Sequence, residues 1–184
     1  CLRGDTTVET IYGGIAIADL AKRFETVPVY TYKDGEVFIA DARNIKKIKT
    51  NARLVRVVFD DGTHIDCTPD HQFPIFKWGN GRAWSRKSTE CPVEARYLKP
   101  GDHIRAIKTE ISARGRAIVT WARKSRRYRS RLVMDYILGR KLVREEHVHH
   151  KDGNRLNDTP SNLQFFPSIS DHLREHSEQL SIRM

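Results

Sequence analysis

The chain has 184 residues, of which 39% are hydrophobic, and it carries a formal net charge of +10 at pH 7. That length suffices for one sizeable core or two small ones, and no apolar run approaches the roughly 18 residues that a membrane-spanning helix needs. No membrane partner is therefore expected. The basic excess favours a polyanionic partner such as nucleic acid, with a merely soluble basic protein as the alternative.

The three cysteines, Cys1, Cys67 and Cys91, lie far apart and form no C-x-x-C pair. Their odd number and wide spacing argue against a disulfide framework and against a cysteine zinc cluster. A reducing compartment is the simplest expectation.

Residues 1 to about 108 are predicted to be rich in strands, because β-branched and aromatic runs alternate with turn signals such as KDG, DDG and KPGD. The stretch RLVRVVF-DDG-THIDCT predicts a hairpin, since Asp-Gly supplies the positive φ that a tight turn needs. One early helix is predicted in GGIAIADLAKRF from a partial apolar stripe. The other runs predicted as strands are VPVYTY, EVFIA and HIRAI.

Eight Lys and Arg residues and no acidic residue lie between Arg114 and Arg131. Basic side chains neutralise phosphates, while the interleaved Trp121 and Tyr128 either stack on bases or pack against a core. The alternative is a solvated linker, which the apolar residues of this segment disfavour. The residues predicted to bind DNA are Arg114, Arg116, Arg123, Lys124, Arg126, Arg127, Arg129 and Arg131.

The last third of the chain has a different pattern. Apolar residues at positions 132, 133, 136 and 137 predict a helix that Gly139 ends. EEHVHH and LQFF predict two short strands on either side of a polar loop, and SISDHLREHSEQL predicts a final helix that a serine caps. The predicted order is therefore strand, loop, strand, helix.

Two histidine pairs lie in this last part. On a helix, His172 and His176 project from one face and can reach one ion, whereas neighbours in a strand, such as His149 and His150, point to opposite faces. One strand histidine can then bind the ion while the other faces the substrate. That division suits metal-assisted phosphodiester hydrolysis, in which a neutral histidine takes the proton of the attacking water. His147 is expected to be exposed and without a role.

The motif HVHHKDGNRLNDTPSNL, with its downstream helical histidine, resembles the HNH nuclease family over roughly residues 113–178. The resemblance implies a ββα-metal unit that cuts DNA. By position it implies His149, His172 and His176 as metal ligands, His150 as the general base and Asn162 as the loop-ordering residue. The implied cofactor is a divalent metal ion, Mg²⁺ or Mn²⁺ first, with Zn²⁺ or Ni²⁺ as alternatives.

Three short motifs together resemble the Hint (hedgehog/intein) superfamily, and the inteins within it most closely. They are the opening CLRGDTTV, the later TPDH and LKPGDHI. The resemblance implies that Cys1 is the nucleophile of an N–S acyl shift. It implies further that His71 polarises and protonates the scissile amide and that Thr68 helps to hold the strained bond. The expected fold class is a mainly β Hint-like splicing domain followed by a small α+β HNH (ββα-metal) nuclease domain.

The expected domains are an intein N-terminal splicing domain at 1–108, a basic DNA-contacting connector at 109–130 and an HNH endonuclease domain at 131–184. The chain ends SEQLSIRM and lacks the terminal His-Asn of an intein, so splicing is expected only with a separate C-terminal intein fragment as partner. The expected function is a homing endonuclease that hydrolyses DNA in the cytoplasm of a prokaryotic or phage-infected cell. The alternatives are an HNH nuclease with a splicing-inactive Hint remnant, a self-processing protein whose HNH unit only binds DNA, and a non-catalytic basic nucleic-acid-binding protein.

Overall fold

The computed structural model describes residues 1–23, 26–77, 89–104, 106–122 and 125–174. Strands make up most of its regular structure, which confirms the prediction of a mainly β protein. No helix in these ranges is long and apolar enough to cross a membrane. The chain divides into two compact units: the first is Cys1–Val27 with Asp41–Ala106, and the second is Pro28–Ala40 with Ile107–Met184.

The first part of the chain forms short antiparallel sheets. Strands β2-β1-β3-β4 form one sheet in that order, β5 pairs with β6, and β8-β7-β9 form a third sheet. A small core of the first unit surrounds Cys67, Phe73 and Ala95. The elements are β1 Thr7–Thr10, β2 Gly13–Ala16, α1 Ile17–Arg23, β3 Thr26–Lys33, β4 Glu36–Arg43, β5 Val55–Val58, β6 His64–Cys67, β7 Gln72–Lys77, β8 Thr89–Glu94, a 3₁₀ turn Ala95–Tyr97 and β9 His103–Ile104.

The predicted hairpin is confirmed, because β5 and β6 pair antiparallel with Val55 opposite Cys67 and Val58 opposite His64. The early helix was predicted too long. It begins only at Ile17, since residues 13–16 pair with β1 as strand β2. Backbone pairing with β1 therefore overrides the partial apolar stripe over those four residues.

The second unit contains a three-stranded antiparallel sheet, β10-β11-β12, and the antiparallel pair β13-β14. Helix α2 packs against both sheets through Leu132, Val133 and Met134, which are buried. The elements are β10 Lys108–Ile111, β11 Ala117–Ala122, β12 Ser125–Tyr128, α2 Arg129–Leu138, β13 His147–His150, a 3₁₀ turn Pro160–Asn162 and β14 Leu163–Phe166, followed by helical residues 169–174.

The predicted end of α2 is confirmed. Gly139 has a φ of 67°, in the left-handed region that glycine adopts at little cost. The Gly139 N–H donates to Tyr136 O at 3.3 Å, and the Arg140 N–H donates to Asp135 O at 3.1 Å. The last carbonyls of the helix are thereby satisfied, as in a glycine-terminated helix.

The basic segment is not a linker, since its described residues form β11, β12 and the start of α2. Trp121 is buried and its indole Nε1–H donates to Gly35 O at 3.0 Å. Of the two roles left open for this aromatic, packing within the second unit is therefore the observed one. Tyr128 is half-buried, with the Arg116 guanidinium 5.3 Å from its ring centroid.

Candidate active sites

The first candidate site lies where β13 meets the helical residues 169–174. His149 points into this corner with 6% of its surface exposed, and its Nδ1 lies 3.1 Å from His172 Nε2. Phe166 of β14 packs edge-on against His149 and tilted against His172, at ring-centroid distances of 6.1 Å and 5.5 Å. A strand and a helix thus bring together two side chains that are 23 residues apart in the sequence.

The helix that carries His172 begins at a serine cap, as predicted. The Ser168 hydroxyl accepts the Asp171 N–H at 3.2 Å and donates to the Asp171 carboxylate at 2.6 Å. A serine cap bonded in both directions to the third residue of the helix fixes the first turn. The position of His172 in space is therefore set by local sequence.

His147 was expected to be exposed, and that part of the expectation was wrong, whereas its having no role stays a prediction. Residues 147 and 149 share one face of β13, because side chains alternate along a strand. The His147 ring is half-buried and stacks parallel on His172, with centroids 5.9 Å apart. The corner therefore holds three imidazoles.

Two of the three predicted metal ligands, His149 and His172, are brought together, while His176 lies outside the described residues. Within the described part of the chain, no group of three or more His, Cys, Asp or Glu side chains is placed to hold a metal ion. Two imidazoles bound to one ion at about 2.0–2.1 Å and a tetrahedral angle would place their nitrogens about 3.3 Å apart. The observed 3.1 Å is close to that separation.

His150 lies on the opposite face of β13 and has different partners. It is 8% exposed, and its Nε2 lies 2.7 Å from Asp158 Oδ1. Asp158 is 3% exposed, and its second oxygen accepts Arg129 Nε–H at 2.8 Å. Arg129 also donates to Leu156 O at 2.7 Å. Sequence reasoning missed Asp158 altogether, since nothing in NRLNDTP distinguishes it from a turn residue.

The polar loop between β13 and β14 is held together by Asn162. The Asn162 amide donates to Asp152 Oδ1 at 2.9 Å and to Asn157 O at 2.7 Å, and its own oxygen accepts the Asp152 N–H at 3.1 Å. The Asn157 and Asn162 amides hold the pKa of Asp152 below its usual range. These bonds tie together both ends of the loop and support the strand that carries the histidines.

The second candidate site surrounds the N-terminal cysteine in the first unit. The Cys1 nitrogen donates to Thr68 Oγ1 at 2.5 Å, and the Thr68 N–H donates back to Cys1 O at 2.8 Å. Thr68 is 2% exposed, and its carbonyl accepts the His71 N–H at 2.9 Å. The structure therefore brings Cys1 and Thr68 into direct contact and places His71 one turn away.

His71 is half-buried and packs edge-on against Phe73, with ring centroids 5.1 Å apart. Burial lowers the pKa of His71 below its usual value, and the nearby N-terminal ammonium lowers it further, while Asp70 opposes the shift. The ring is therefore neutral at neutral pH and would have to gain a proton before it could donate one.

A pair of arginines fixes the chain just after Cys1. The Arg3 N–H donates to Asp66 O at 2.9 Å, and the Asp66 carboxylate accepts from Arg3 at 3.0 Å and from Arg56 at 2.8 Å. The Arg56 guanidinium, more than the Arg3 guanidinium, holds the pKa of Asp66 well below its usual range. Asp66 directly precedes Cys67 and Thr68. Its contacts with Arg3 therefore hold the segment that follows Cys1 beside the segment that carries Thr68. Sequence reasoning did not identify it.

The predicted DNA-binding residues divide into two groups. Arg127 pairs with Asp135 at 2.6 Å, Arg129 pairs with Asp158, and Arg131 donates at 2.7 Å to the carbonyls of Val143 and Glu146. Arg114 and Arg126 are exposed and Arg116 is half-buried, whereas Arg123 and Lys124 lie outside the described residues. Arg114 and Arg126 line a groove of about 570 Å³ together with Ser112, Ala113, Ile118, Arg127, Tyr128 and Arg131.

No protein-family model matches the chain. The chain is similar to the B subunit of DNA gyrase from Synechocystis sp., with 29% identity over an alignment of 198 residues. The alignment covers 98% of this chain and 17% of the gyrase protein, so the chain spans about a sixth of the length of that relative.

Proposed function

We propose that the second unit is a metal-dependent nuclease of the HNH type that hydrolyses phosphodiester bonds in DNA. One observation carries the proposal: His149 and His172 place two nitrogens 3.1 Å apart, while His150 on the other face of the strand bonds to a buried carboxylate. The first pair can hold an ion, and His150 can accept the proton of a water. The order β13, β14, helix is that of a ββα-metal unit.

The chemistry of the donor atoms indicates which metal ions this site should bind. Imidazole nitrogens suit manganese, nickel and zinc better than magnesium, which prefers oxygen ligands and retains several waters. Bound between His149 and His172, with His176 as a further ligand, such an ion would stabilise charge that develops on the leaving oxygen. We therefore expect faster DNA cleavage with Mn²⁺ than with Mg²⁺, and Zn²⁺ and Ni²⁺ are the other ions to test.

The remaining tasks fall to residues of this chain. His150 takes the proton of the attacking water, and Asn162 keeps the loop in one conformation. The exposed Arg114 and Arg126 contact DNA phosphates at their groove, because exposed guanidinium groups bind phosphate oxygens well.

Cleavage of supercoiled plasmid, followed on gels with each divalent ion in turn, tests the nuclease. His150→Ala is expected to lower the rate by about 10²–10⁴-fold, the usual contribution of a general base. His172→Ala should reduce both rate and metal affinity, whereas His64→Ala, at an exposed histidine of the first unit, should change neither. A wild-type protein that binds DNA but cuts none with any ion would favour the non-catalytic nucleic-acid-binding alternative.

We also propose that the first unit is the N-terminal splicing segment of an intein. The contact between the Cys1 nitrogen and Thr68 Oγ1 favours this function. In a precursor with a residue before Cys1, that nitrogen belongs to the scissile amide, so the Thr68 hydroxyl lies at the bond that the thiol would exchange. The similarity of nearly the whole chain to 17% of a gyrase protein is compatible, though only loosely, with an element inserted in a longer host protein.

The acyl shift is tested by placing a short peptide before Cys1 and adding dithiothreitol, which releases a thioester-linked peptide. Release from the wild type and none from Cys1→Ala is the expected result. Equal release from the wild type and from Cys1→Ala would favour the alternative of a nuclease with a splicing-inactive Hint remnant. Adding a fragment that carries the C-terminal intein blocks then tests splicing in trans.

A further inference from the structure

We propose that Asp158, held by Arg129, positions His150 by keeping its ring proton on Nε2, so that Nδ1 is the nitrogen that accepts a proton from water. The inference rests on the proposed nuclease function and assigns the roles of the two ring nitrogens of His150 within it.

The contact itself determines the direction of the hydrogen bond. His150 Nε2 and Asp158 Oδ1 are 2.7 Å apart, and both side chains are at least nine-tenths buried. An ionised carboxylate has no proton to donate, so Nε2 must carry the hydrogen. A neutral imidazole has only one N–H, which leaves the lone pair on Nδ1.

Arg129 gives the Asp158 carboxylate a charged partner and fixes its orientation. Its Nε donates to the second carboxylate oxygen at 2.8 Å, so both oxygens of Asp158 have charged or polar donors. A buried carboxylate without such a partner would be costly. The same guanidinium donates to Leu156 O at 2.7 Å, which ties the first residue of α2 to the loop that carries Asp158. The carboxylate therefore cannot rotate away from His150 without also breaking its bond to Arg129, which is itself anchored on Leu156 O.

Loss of the Asp158 carboxylate should lower kcat rather than the affinity for DNA or metal. Where a carboxylate orients a catalytic histidine in serine proteases, its replacement by asparagine keeps the geometry but stabilises the wrong tautomer and costs about 10⁴ in kcat. For Asp158→Asn we expect kcat for DNA cleavage to fall by about 10²–10⁴-fold. KM for DNA and affinity for Mn²⁺ should change by less than about threefold, since the described bonds of the Asp158 carboxylate go to His150 and Arg129. Asp158→Glu, which retains the carboxylate, should recover part of the loss.

The direct test is the tautomer of His150 in the metal-free protein. Long-range ¹⁵N–¹H spectra of histidine-labelled protein, recorded at about pH 8.5 where an ordinary imidazole is neutral, distinguish Nε2–H from Nδ1–H. The His150 signals are assigned by their loss in His150→Gln. We expect Nε2–H in the wild type and in Asp60→Asn, a loss of an exposed carboxylate from the first unit, and a gain of Nδ1–H in Asp158→Asn.

Each outcome decides the inference. A wild-type His150 that carries its proton on Nδ1 overturns it, whether or not any variant folds. A folded Asp158→Asn protein that cuts DNA at the wild-type rate also overturns it, while the nuclease function stands. If the wild type cuts no DNA with any ion, the proposed function fails and the catalytic role of Asp158 fails with it, even with the expected tautomer.

Discussion

Thr68 is the residue on which the N-terminal site depends. Its buried hydroxyl touches the Cys1 nitrogen, and its backbone bonds to both Cys1 and His71. Thr68→Val keeps the shape and removes the hydroxyl, so thiol-induced release of a peptide placed before Cys1 should slow by about tenfold or more. Thr63→Val is the matched control, since Thr63 is exposed and its hydroxyl bonds to Asp61 within its own turn. Unchanged release from Thr68→Val would remove Thr68 from the acyl shift.

His71 should make stability depend on pH. Because burial lowers its pKa in the folded protein, the unfolded chain binds a proton first as the pH falls. The free energy of unfolding is then unaffected by this group above about pH 6.5, the ordinary histidine pKa, and it decreases as the pH falls from there to the lowered value of the folded protein.

Urea unfolding at several pH values checks this expectation. His71→Gln should flatten the decrease below about pH 6.5, whereas His64→Gln, at an exposed position, should not. An equally steep decrease in the His71 variant would assign the pH dependence to other groups.

At the scale of single elements, the end of α2 gives a measurable prediction. Gly139 has a φ of 67°, and a Cβ at this position would meet no atom within 4 Å. Any cost of substitution is therefore one of backbone conformation rather than of a clash. Gly139→Ala should destabilise the protein by about 1 kcal/mol, and Gly139→Asn by less, because asparagine tolerates the left-handed region. Urea denaturation of both variants measures the difference, and equal stability of the alanine variant would contradict this account.

The elements that the sequence predicted correctly are those with local signals. The Asp-Gly turn predicted the hairpin of β5 and β6, and Gly139 predicted the end of α2. The alternation of side chains along a strand also predicted that His149 and His150 face different partners, as they do.

What the sequence did not predict are the contacts between distant residues. Asp158 bonds to Arg129, which lies 29 positions earlier, and Asp66 bonds to Arg3, which lies 63 positions earlier. No local pattern specifies such a pair, because it depends on how the elements pack. Three arginines of the basic segment were predicted from the sequence to contact phosphates, but they bond to acids and carbonyls of the fold for the same reason. They are Arg127, Arg129 and Arg131.

At the scale of the whole molecule, the charge of +10 predicts that the proposed affinity for DNA depends on salt. A double change, Arg114→Gln with Arg126→Gln, should reduce the slope of log affinity against log salt by about 0.9 for each phosphate that is no longer neutralised. Arg131→Gln should instead lower stability and leave that slope nearly unchanged, since Arg131 bonds to two carbonyls. Fluorescence anisotropy with labelled duplex DNA over a series of KCl concentrations measures both. An unchanged slope in the double variant would place the DNA contacts elsewhere.

The hairpin of β3 and β4 has a consequence for the history of such a gene. Its outer residues, Pro28–Ala40, belong to the second unit, where Gly35 accepts the indole proton of Trp121 and Glu36 pairs with Lys141. The second unit is therefore not encoded by one uninterrupted stretch of DNA. A deletion of the codons for 107–184 would leave the hairpin tip without either partner, and a gene fragment beginning at codon 107 would lack the acceptor of Trp121. Clean removal of the second unit would therefore require two separate deletions in one reading frame.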